Sequence, residues 1–237
     1  TPLSFSAAAS SRPIAASCPV MPSTARKRMR RSVAAFKSEA ANAGIAHDCH
    51  ALGAIPADAA GSLGEMARLH DLSIVLQPEP AQGSFDNDVP GEILFQAGGP
   101  VLFLPYNFRG AFKANRIGIC WDGSRLAARA MRDAAPFLAR AEEIVIITIN
   151  EADAVPDDVS ARNLAIHLGR RGLSTRTASL SAARADIQPT ILSLAADENL
   201  DLLVMGGYGH SRWQERLLGG VTRAMLEAMT VPTLMSH

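Results

Sequence analysis

The feature that most constrains the fold of this 237-residue chain is a repeat. The segment GIAHDCHAL from Gly44 resembles GLSTRTASL from Gly172, which lies 128 residues later. DLSIVLQPEP from Asp71 resembles DLLVMGGYGH from Asp201, 130 residues later, and GPVLFLP resembles the C-terminal VPTLMSH. A nearly constant spacing between matching segments is what a duplicated domain produces. The sequence therefore predicts two tandem copies of one domain.

The second copy, residues 113–237, alternates short strand patterns with helical patterns. Its strand candidates are apolar or β-branched, and they read RIGICW, EIVIITIN, LSTRTASL, DLLVMG and PTLMS. Strands that alternate with helices of this length indicate a doubly wound, parallel α/β sheet covered on both faces. The first helix follows Ser124, a predicted N-cap, and Pro136 predicts a kink or an early stop in it. Its predicted core face comprises Ala127, Ala130, Met131, Ala134 and Leu138.

The first copy, residues 1–110, shows only the later part of the same pattern. Its predicted elements are a helix near 23–43 and strands near 45–52, 71–76 and 100–104. A counterpart of RIGICWDGS and its helix is missing, so this copy is either degenerate or begins upstream of Thr1. We place the link between the copies at 106–113. The predicted fold class is α/β, with two tandem doubly wound, Rossmann-like domains, the first lacking its initial strand and helix.

Charge and cysteine content narrow the classes of function. With 23 basic and 23 acidic residues the chain is neutral, which argues against a dedicated nucleic-acid binder. Cys18, Cys49 and Cys120 have no paired spacing, so neither disulfides nor a metal site is predicted. Cys120 lies in an apolar run and is expected to be a small core residue. No apolar stretch approaches the roughly 18 residues of a membrane span, and we expect a cytoplasmic protein.

The N-terminal segment is rich in Ser, Ala and Arg, and its first acidic residue is Glu39. This composition is typical of an organellar transit peptide, but the edge of a truncated domain is favoured, because the chain starts with Thr1 rather than methionine and the first copy lacks its initial strand and helix. Six basic residues lie between Arg26 and Lys37. We predict a solvated helix face there, the alternative being a face for an acidic partner or RNA. The residues predicted to face the core are Met29, Val33 and Phe36.

The stretch GGYGHSRWQERLLGG, residues 206–220 and here named the glycine segment, holds five glycines between an apolar strand and a helical pattern. Glycine permits sharp turns and close approach of a ligand, and N–H groups before a helix bind anions. We predict a phosphate site here, with Gly219 and Gly220 immediately preceding the helix VTRAMLEAM. Asp122, at the tip of the first strand, would face the same crevice if the two strands are neighbours where strand order reverses. The alternative is that the glycines serve only the turn.

The spacing Gly206-x-x-Gly209-(x9)-Gly219 resembles the nucleotide motif G-x-x-G-(x9)-G-[ST] of the universal stress protein family. RIGICWDGS resembles that family's first strand with its aspartate, and VPTLMSH resembles its last strand. The resemblance covers residues 113–237 with all elements in family order. Because the first copy fits the later part of the same fold, the whole chain resembles a tandem universal stress protein.

The resemblance implies a site for ATP or AMP, with or without Mg²⁺. It places Asp122 and a backbone group of Ile149 against adenine or ribose, and the glycines around ribose and phosphates. The nucleotide-binding residues so implied are Asp122, Ile149, Gly206, Gly209, Gly219, Gly220 and Val221. Gly220 stands where the family has Ser or Thr, which removes a charge-assisted hydrogen bond worth about 1.5–3 kcal/mol. We therefore expect weak or altered binding.

The corresponding segment of the first copy, LQPEPAQGSFDNDVPGE, has prolines in place of the glycine turn. Its carboxylates would repel phosphates, so no nucleotide site is predicted there. The residues concerned are Pro78, Glu79, Pro80, Asp86, Asp88 and Glu92. By resemblance to family dimers, VLFLP and PTLMS would pair between the copies and build a pseudo-dimer within the chain, with a homodimer as a further expectation.

Three classes of function follow. The favoured class is a nucleotide-binding stress or regulatory protein. An ATP-hydrolysing enzyme is less favoured, because the sequence has no GxxxxGK[ST] loop and no recognisable general base beside the glycines. A nucleotide-free interaction module is favoured by Gly220 and by the degenerate first copy. A dehydrogenase is disfavoured because its GxGxxG would follow the first strand, where this chain has WDGSRLAAR.

Overall fold

The computed structural model describes residues 23–50, 56–79, 89–151, 155–207 and 215–237. The chain divides into two compact units, Thr1–Ala59 and Ala60–His237. The α-helices are α1 (Ser23–Asn42), α2 (Pro56–Ala67), α3 (Val89–Gln96), α4 (Arg125–Asp133), α5 (Ala135–Leu138), α6 (Ala161–Gly169), α7 (Ile187–Asp197) and α8 (Glu215–Ala228). None of these described helices combines the length and apolarity that crossing a bilayer requires.

The first unit is built around α1, which confirms the helix predicted near 23–43. It ends where Gly44 adopts a φ of +65° and the amide of Ile45 donates to the carbonyl of Ala40 at 2.9 Å, a left-handed helix cap. The six basic residues of α1 are exposed, as predicted for a solvated face. Phe36, predicted to face the core, is instead 52% exposed, and its ring contacts His47 edge-on at 5.8 Å.

The strand predicted near 45–52 is wrong over residues 45–50, which form no strand, and its last two residues lie outside the described ranges. Here the side chains bond the local backbone. His47 Nδ1 lies 3.0 Å from the carbonyl oxygen of Ile45, and the carboxylate of Asp48 accepts from the amide of Cys49 at 2.7 Å. Local bonds of this kind compete with a sheet ladder.

The second unit contains a seven-stranded sheet. Its strands are β1 (Ser73–Leu76), β2 (Val101–Leu104), β3 (Arg116–Cys120), β4 (Glu143–Ile149), β5 (Thr175–Leu180), β6 (Leu202–Gly206) and β7 (Thr233–Ser236). They lie in the order β1-β2-β7-β6-β3-β4-β5. Every neighbouring pair is parallel except β2 and β7, which are antiparallel. The five strands predicted for 113–237 and the strands predicted near 71–76 and 100–104 are therefore confirmed.

Helices cover both faces of the sheet, as expected for doubly wound strands. On one face, α3, α7 and α8 contribute buried residues such as Leu94, Ile191 and Met225. On the other, α4, α5 and α6 contribute Met131, Leu138 and Leu164. The helix break predicted at Pro136 is confirmed, because α4 ends at Asp133 and α5 begins at Ala135. The predicted apolar face of α4 and α5 is buried throughout.

The antiparallel pairing of β2 with β7 joins the two halves of the sequence into one sheet. Leu102 stands opposite Leu234, and Phe103 opposite Thr233. The pairing of VLFLP with PTLMS is thus present in the structure. The division of the chain into two tandem domains at 106–113 stays a prediction, since the compact units divide between Ala59 and Ala60.

A charged network closes the amino-terminal edge of β3, β4 and β5. Arg116 contacts Glu143 at 2.8 Å, and Arg176 bonds both Glu143, at 2.6 Å, and Glu198. The hydrogen bond from Arg176 and the nearby charge of Arg116 hold the pKa of Glu143 below its ordinary value. The carboxylate of Asp201 accepts from the amide of Arg116 at 3.0 Å, which fixes the start of β3.

Candidate functional site

The strand order reverses between β3 and β6, which are parallel neighbours with Ile119 opposite Val204. The sequence made a shared crevice conditional on this adjacency, and the adjacency is confirmed. The turn after Cys120 and the glycine segment after Met205 therefore leave the sheet at the same edge. Ligands of open α/β sheets bind at such reversal points, outside the carboxyl ends of the strands.

Asp122 lies exposed in the turn between β3 and α4. Its Oδ1 accepts from the amide of Ser124 at 2.9 Å, and Ser124 Oγ in turn accepts from the amide of Ala127 at 3.1 Å. The first contact shapes the turn, and the second is the N-cap predicted for α4. A carboxylate held in this way presents its charge to solvent with little freedom to reorient.

A loop after β4 packs against this turn. Gly123 has a φ of +70°, and a Cβ placed on it would lie 2.9 Å from side-chain atoms of both Val155 and Val159. The indole Nε1 of Trp121 donates to the carbonyl of Val159 at 2.6 Å. Sequence reasoning treated Trp121 only as part of an apolar run. An aromatic residue with one polar group at a strand end was the available signal for such an anchor.

The end of β4 supplies the third predicted element. Ile149 is half-buried and pairs with Leu180 of β5. The next residue, Asn150, has a φ of +56°. Its side chain donates to the carbonyl of Ala182 at 2.9 Å and accepts from the amide of Ala182 at 3.1 Å. This clamp, which the sequence reasoning missed, fixes the backbone beside Ile149, and the signal was an asparagine directly after a strand.

Gly206 ends β6 where no side chain fits. A Cβ on Gly206 would lie 2.7 Å from the amide nitrogen of Ala127 and 2.8 Å from the carbonyl carbon of Leu126. Because both are backbone atoms of α4, they cannot move aside as a flexible side chain would. The structural role of Gly206 is thus the close approach of β6 to the first turn of α4, which brings the two candidate loops together.

Gly207 is enclosed by three neighbours. Its amide donates to the carbonyl of Ser236 at 2.8 Å, and its carbonyl oxygen lies 3.1 Å from Nδ1 of His237. A Cβ on Gly207 would lie 2.6 Å from Cδ2 of Leu94. The motif Gly206-x-x-Gly209 does not require glycine at position 207, so the role of Gly207 is seen only in the packing around it.

The prediction that Gly219 and Gly220 immediately precede a helix is wrong. Helix α8 begins at Glu215, so both glycines lie inside it. Glycine costs a helix interior about 1 kcal/mol relative to alanine, and the burial of Met225 and Leu226 on α8 shows that tertiary packing outweighs that preference here. Gly220 is exposed, with nothing within 4 Å of an added Cβ.

The remaining predicted residues differ in how far the structure describes them. Val221, a residue of α8, is half-buried and packs against the core. Gly209 lies outside the described residues, and Gly219 is described only as part of the backbone of α8. The described part of the site thus brings Asp122 and Gly206 to the ends of neighbouring strands.

Cys120 lies directly before this edge, at the end of β3. Burial, with a smaller contribution from the negative charge of Asp122, raises the pKa of its thiol to about 12. The thiol therefore stays protonated, and the residue, predicted to lie in the core, is half-buried and packs against it. Within the described ranges, no cluster of three or more His, Cys, Asp or Glu side chains could hold a metal ion.

Comparison with known proteins agrees with this geometry. The model of the universal stress protein family matches residues 113–237. A universal stress protein from Archaeoglobus fulgidus DSM 4304 has a similar structure, with a TM-score of 0.56 and 17% identity over 73% of this chain, which spans 64% of that protein. A protein of unknown function from Pseudomonas aeruginosa PAO1 matches with a TM-score of 0.58 and 14% identity, over 87% of this chain and 77% of that one.

No curated protein matches the sequence. The two structural matches establish the similarity of fold, while the family model covers more than half of the chain, including β3 to β7 and both candidate loops. This chain therefore belongs to the universal stress protein family.

Proposed function

We propose that residues 113–237 bind one adenine nucleotide, ATP or AMP, and that its occupancy serves a regulatory role in a stress response. The observation that carries the proposal is the reversal point between β3 and β6. There, an exposed carboxylate on Asp122 and the exit of the glycine segment at Gly206 leave the same edge of the sheet. The two features come from loops that are far apart in the sequence, and the fold makes them neighbours.

The adenosine end of the ligand belongs on the β3 and β4 side. Asp122 offers a fixed acceptor for adenine amino or ribose hydroxyl groups, since its other hydrogen bond already holds it in the turn. The Asn150 clamp orders the backbone next to Ile149, which makes a main-chain contact to the base available. Fixed hydrogen-bonding groups of this kind select for a purine that can pair with them.

The phosphate end belongs at the glycine segment. Gly209 supplies backbone that a phosphate can approach closely. Helix α8, which starts at Glu215, contributes free N–H groups in its first turn and the positive end of its dipole. Gly219 and Gly220 lie inside α8 and lack a Cβ, so phosphates could approach the helix surface there, with Val221 beside them and Mg²⁺ as an optional bridge between phosphates.

Gly220 also favours a second candidate, a nucleotide-free interaction module. The hydroxyl that the family motif places there is absent from this chain. Hydrolysis of ATP is not part of the proposal, because the site offers no described general base.

Calorimetric titration with ATP at a fixed Mg²⁺ concentration tests these alternatives. Asp122→Asn preserves an acceptor for the amide of Ser124 but removes the charge, and we expect the Kd to rise about tenfold, equivalent to about 1.4 kcal/mol. Gly220→Ser restores the hydroxyl in open space, and we expect the Kd to fall about tenfold. Asp197→Asn, an exposed change at the end of α7, is the matched control and should leave the Kd unchanged.

Absence of binding at millimolar ATP, by both the parent and Gly220→Ser, would overturn the nucleotide proposal and favour the interaction module. Tight binding that ignores Asp122→Asn would move the site away from the β3 turn. We further propose that the repeats up to residue 110 and from residue 113 are two universal-stress-type domains, joined as an internal pseudo-dimer by β2 and β7.

A further inference from the structure

The β1, α3 and β2 elements, here named the first-repeat arm, contact the glycine segment at its entry. Leu94 of α3 is almost fully buried and occupies the space that a side chain on Gly207 would fill. Its Cδ2 lies 2.6 Å from that hypothetical Cβ. The residue that opens the loop is therefore covered by a side chain from the other half of the sequence.

A second contact of the arm reaches the same residue through an aromatic ring. Phe95 meets the ring of His237 edge-on, with centroids 4.6 Å apart and planes at 75°. His237 Nδ1 lies 3.1 Å from the carbonyl oxygen of Gly207. Because a histidine ring positioned on one side by an aromatic side chain has little rotational freedom, Phe95 orients the group that holds Gly207.

A third contact reaches α8, the helix that follows the glycine segment. Gln77, directly after β1, is buried, and its Nε2 donates to the carbonyl of Leu226 at 2.9 Å. Its Oε1 accepts from the amide of Tyr106 at 3.2 Å. Leu226 lies in the last turn of α8, where carbonyl groups have no partner within the helix. The arm thus caps α8 as well as covering the entry to the loop.

A fourth contact ties the arm to the other candidate loop. Arg129 of α4 donates to the carbonyl of Gly98, in the turn between α3 and β2. Arg129 also pairs with Asp133 at 3.6 Å, whose carboxylate accepts from the hydroxyl of Ser236 at 2.7 Å. Helix α4 starts at the Asp122 turn and packs against Gly206, so the arm touches both elements that flank the proposed ligand.

We propose that the first-repeat arm positions the two described ends of the glycine segment, Gly207 and α8, with Leu94, Phe95 and Gln77 as positioning residues, so that the packing of the arm sets the affinity of the proposed nucleotide site. The inference rests on the proposed function and adds to it a coupling between the two halves of the chain. Its physical basis is that the arm and its neighbours hold Gly207 and the last turn of α8 through Leu94, Phe95 and Gln77. If the arm loosens, Gly207 and α8 must be ordered when the nucleotide binds, and the cost of that ordering lowers the affinity.

The test compares Phe95→Ala and Gln77→Met with Phe112→Ala. Phe112 is a matched control because it also makes an edge-on aromatic contact, with Phe137 at 5.9 Å, and is similarly exposed, but it lies before β3, at the opposite edge of the sheet. Two quantities are measured for each protein, the Kd for ATP by calorimetry and the exchange rate of the Gly207 amide by NMR in nucleotide-free protein. The amide donates to Ser236, so its exchange reports opening of the loop entry.

We expect Phe95→Ala and Gln77→Met to raise the Kd three- to tenfold and to speed Gly207 exchange more than tenfold. Phe112→Ala should change both by less than twofold. The proposal is overturned if the arm variants keep both the Kd and the exchange rate within twofold of the parent, or if Phe112→Ala changes them equally. If the parent fails to bind ATP, the proposed function fails, and positioning of the loop by the arm is decided by the exchange rates alone.

Discussion

The matching segments that begin at Asp71 and Asp201 form strands β1 and β6, and the residues that follow these two strands differ in how the space around them is filled. Gln77 follows β1 as Gly207 follows β6, 130 residues later. Each donates its amide to the adjacent strand at 2.8 Å, Gln77 to Leu104 and Gly207 to Ser236. Gln77 then fills its own space with a buried, hydrogen-bonded amide, whereas the space beside Gly207 is filled by Leu94. After β1 the space is filled by the side chain of Gln77 itself, and after β6 it is filled by a side chain from α3.

The difference shows that similar strands can end in loops of different chemistry within one sheet. The backbone hydrogen bonds that hold β1 to β2 and β6 to β7 are the same in kind. The chemistry beyond the strand end is not, because the first repeat continues into a proline-containing acidic stretch and the second into glycines. Both segments stay in one sheet through the pairing of β2 with β7, and the glycine motif occurs after β6 but not after β1.

Burial shows the same asymmetry. Ile74 of β1 is 58% exposed, whereas Val204, the corresponding residue of β6, is fully buried. β6 has β3 as its second neighbour and is packed against α4. β1 is the edge strand of the described sheet, with β2 as its neighbour. The two strands have similar apolar sequences, but β6 lies inside the sheet with a strand on each side, whereas β1 lies at its edge.

The largest expected effect comes from placing a side chain at Gly206, the last residue of β6. Gly206→Val would drive its Cβ into backbone atoms of Ala127 and Leu126, and we expect a loss of about 3 kcal/mol or more in the free energy of unfolding. Leu76→Val, at the corresponding end of β1, is the control and should cost less than about 0.5 kcal/mol because Leu76 is largely exposed. Urea unfolding of both variants measures the contrast. Equal losses would mean that the ends of β1 and β6 tolerate a change of side chain equally well.

A medium effect is expected from the matched strand positions. Val204→Ala removes two buried methyl groups from a closed core, and we expect a loss of about 2 kcal/mol. Ile74→Ala deletes more carbon atoms but from an exposed position, and we expect a change below about 0.5 kcal/mol. Chemical denaturation again provides the comparison. A larger loss for Ile74→Ala would show that the exposed face of β1 is covered in solution.

The smallest effect concerns pH and the charged network of the second repeat. The pKa of Glu143 is lowered from 4.5 by Arg176 and Arg116, so its ion pairs stabilise the fold above that pH, and the contribution is lost as the pH falls through the lowered pKa. Glu143→Gln should therefore unfold more easily than the parent at neutral pH, and the difference should shrink below pH 4.5. Thermal midpoints at several pH values and at high salt measure it. A difference that is constant with pH would assign the effect to packing.

Much of the fold could be predicted because its signals are local. Ser124 sits one residue before a helix, and Pro136 interrupts that helix, as their backbone chemistry requires. The failures also have local causes. The segment from Ile45 to His50 carries a strand-like match to the second repeat, but His47 and Asp48 bond their own backbone. Gly219 and Gly220 indicated a helix start, but packing of α8 carries the helix through them.

The sequence indicated the individual segments of the candidate site but not how they come together in the fold. Asp122 and the glycine segment each carried a motif, and their meeting depended on β3 and β6 being neighbours. Gly207, Leu94 and Phe95 carried no motif at all. Their contacts join residues more than one hundred positions apart, and such pairs leave no periodic pattern in either segment.

The sequence by itself determined the alternation of strands and helices, the family, and the restriction of the glycine motif to the second repeat. These depend on residue type at short spacing, through burial of apolar faces and through the freedom of glycine. Tertiary structure alone decided that β2 runs antiparallel to β7, that Gln77 caps α8 and that Leu94 covers Gly207. Such choices follow from packing between distant segments, where volume and unpaired polar groups must be matched in three dimensions.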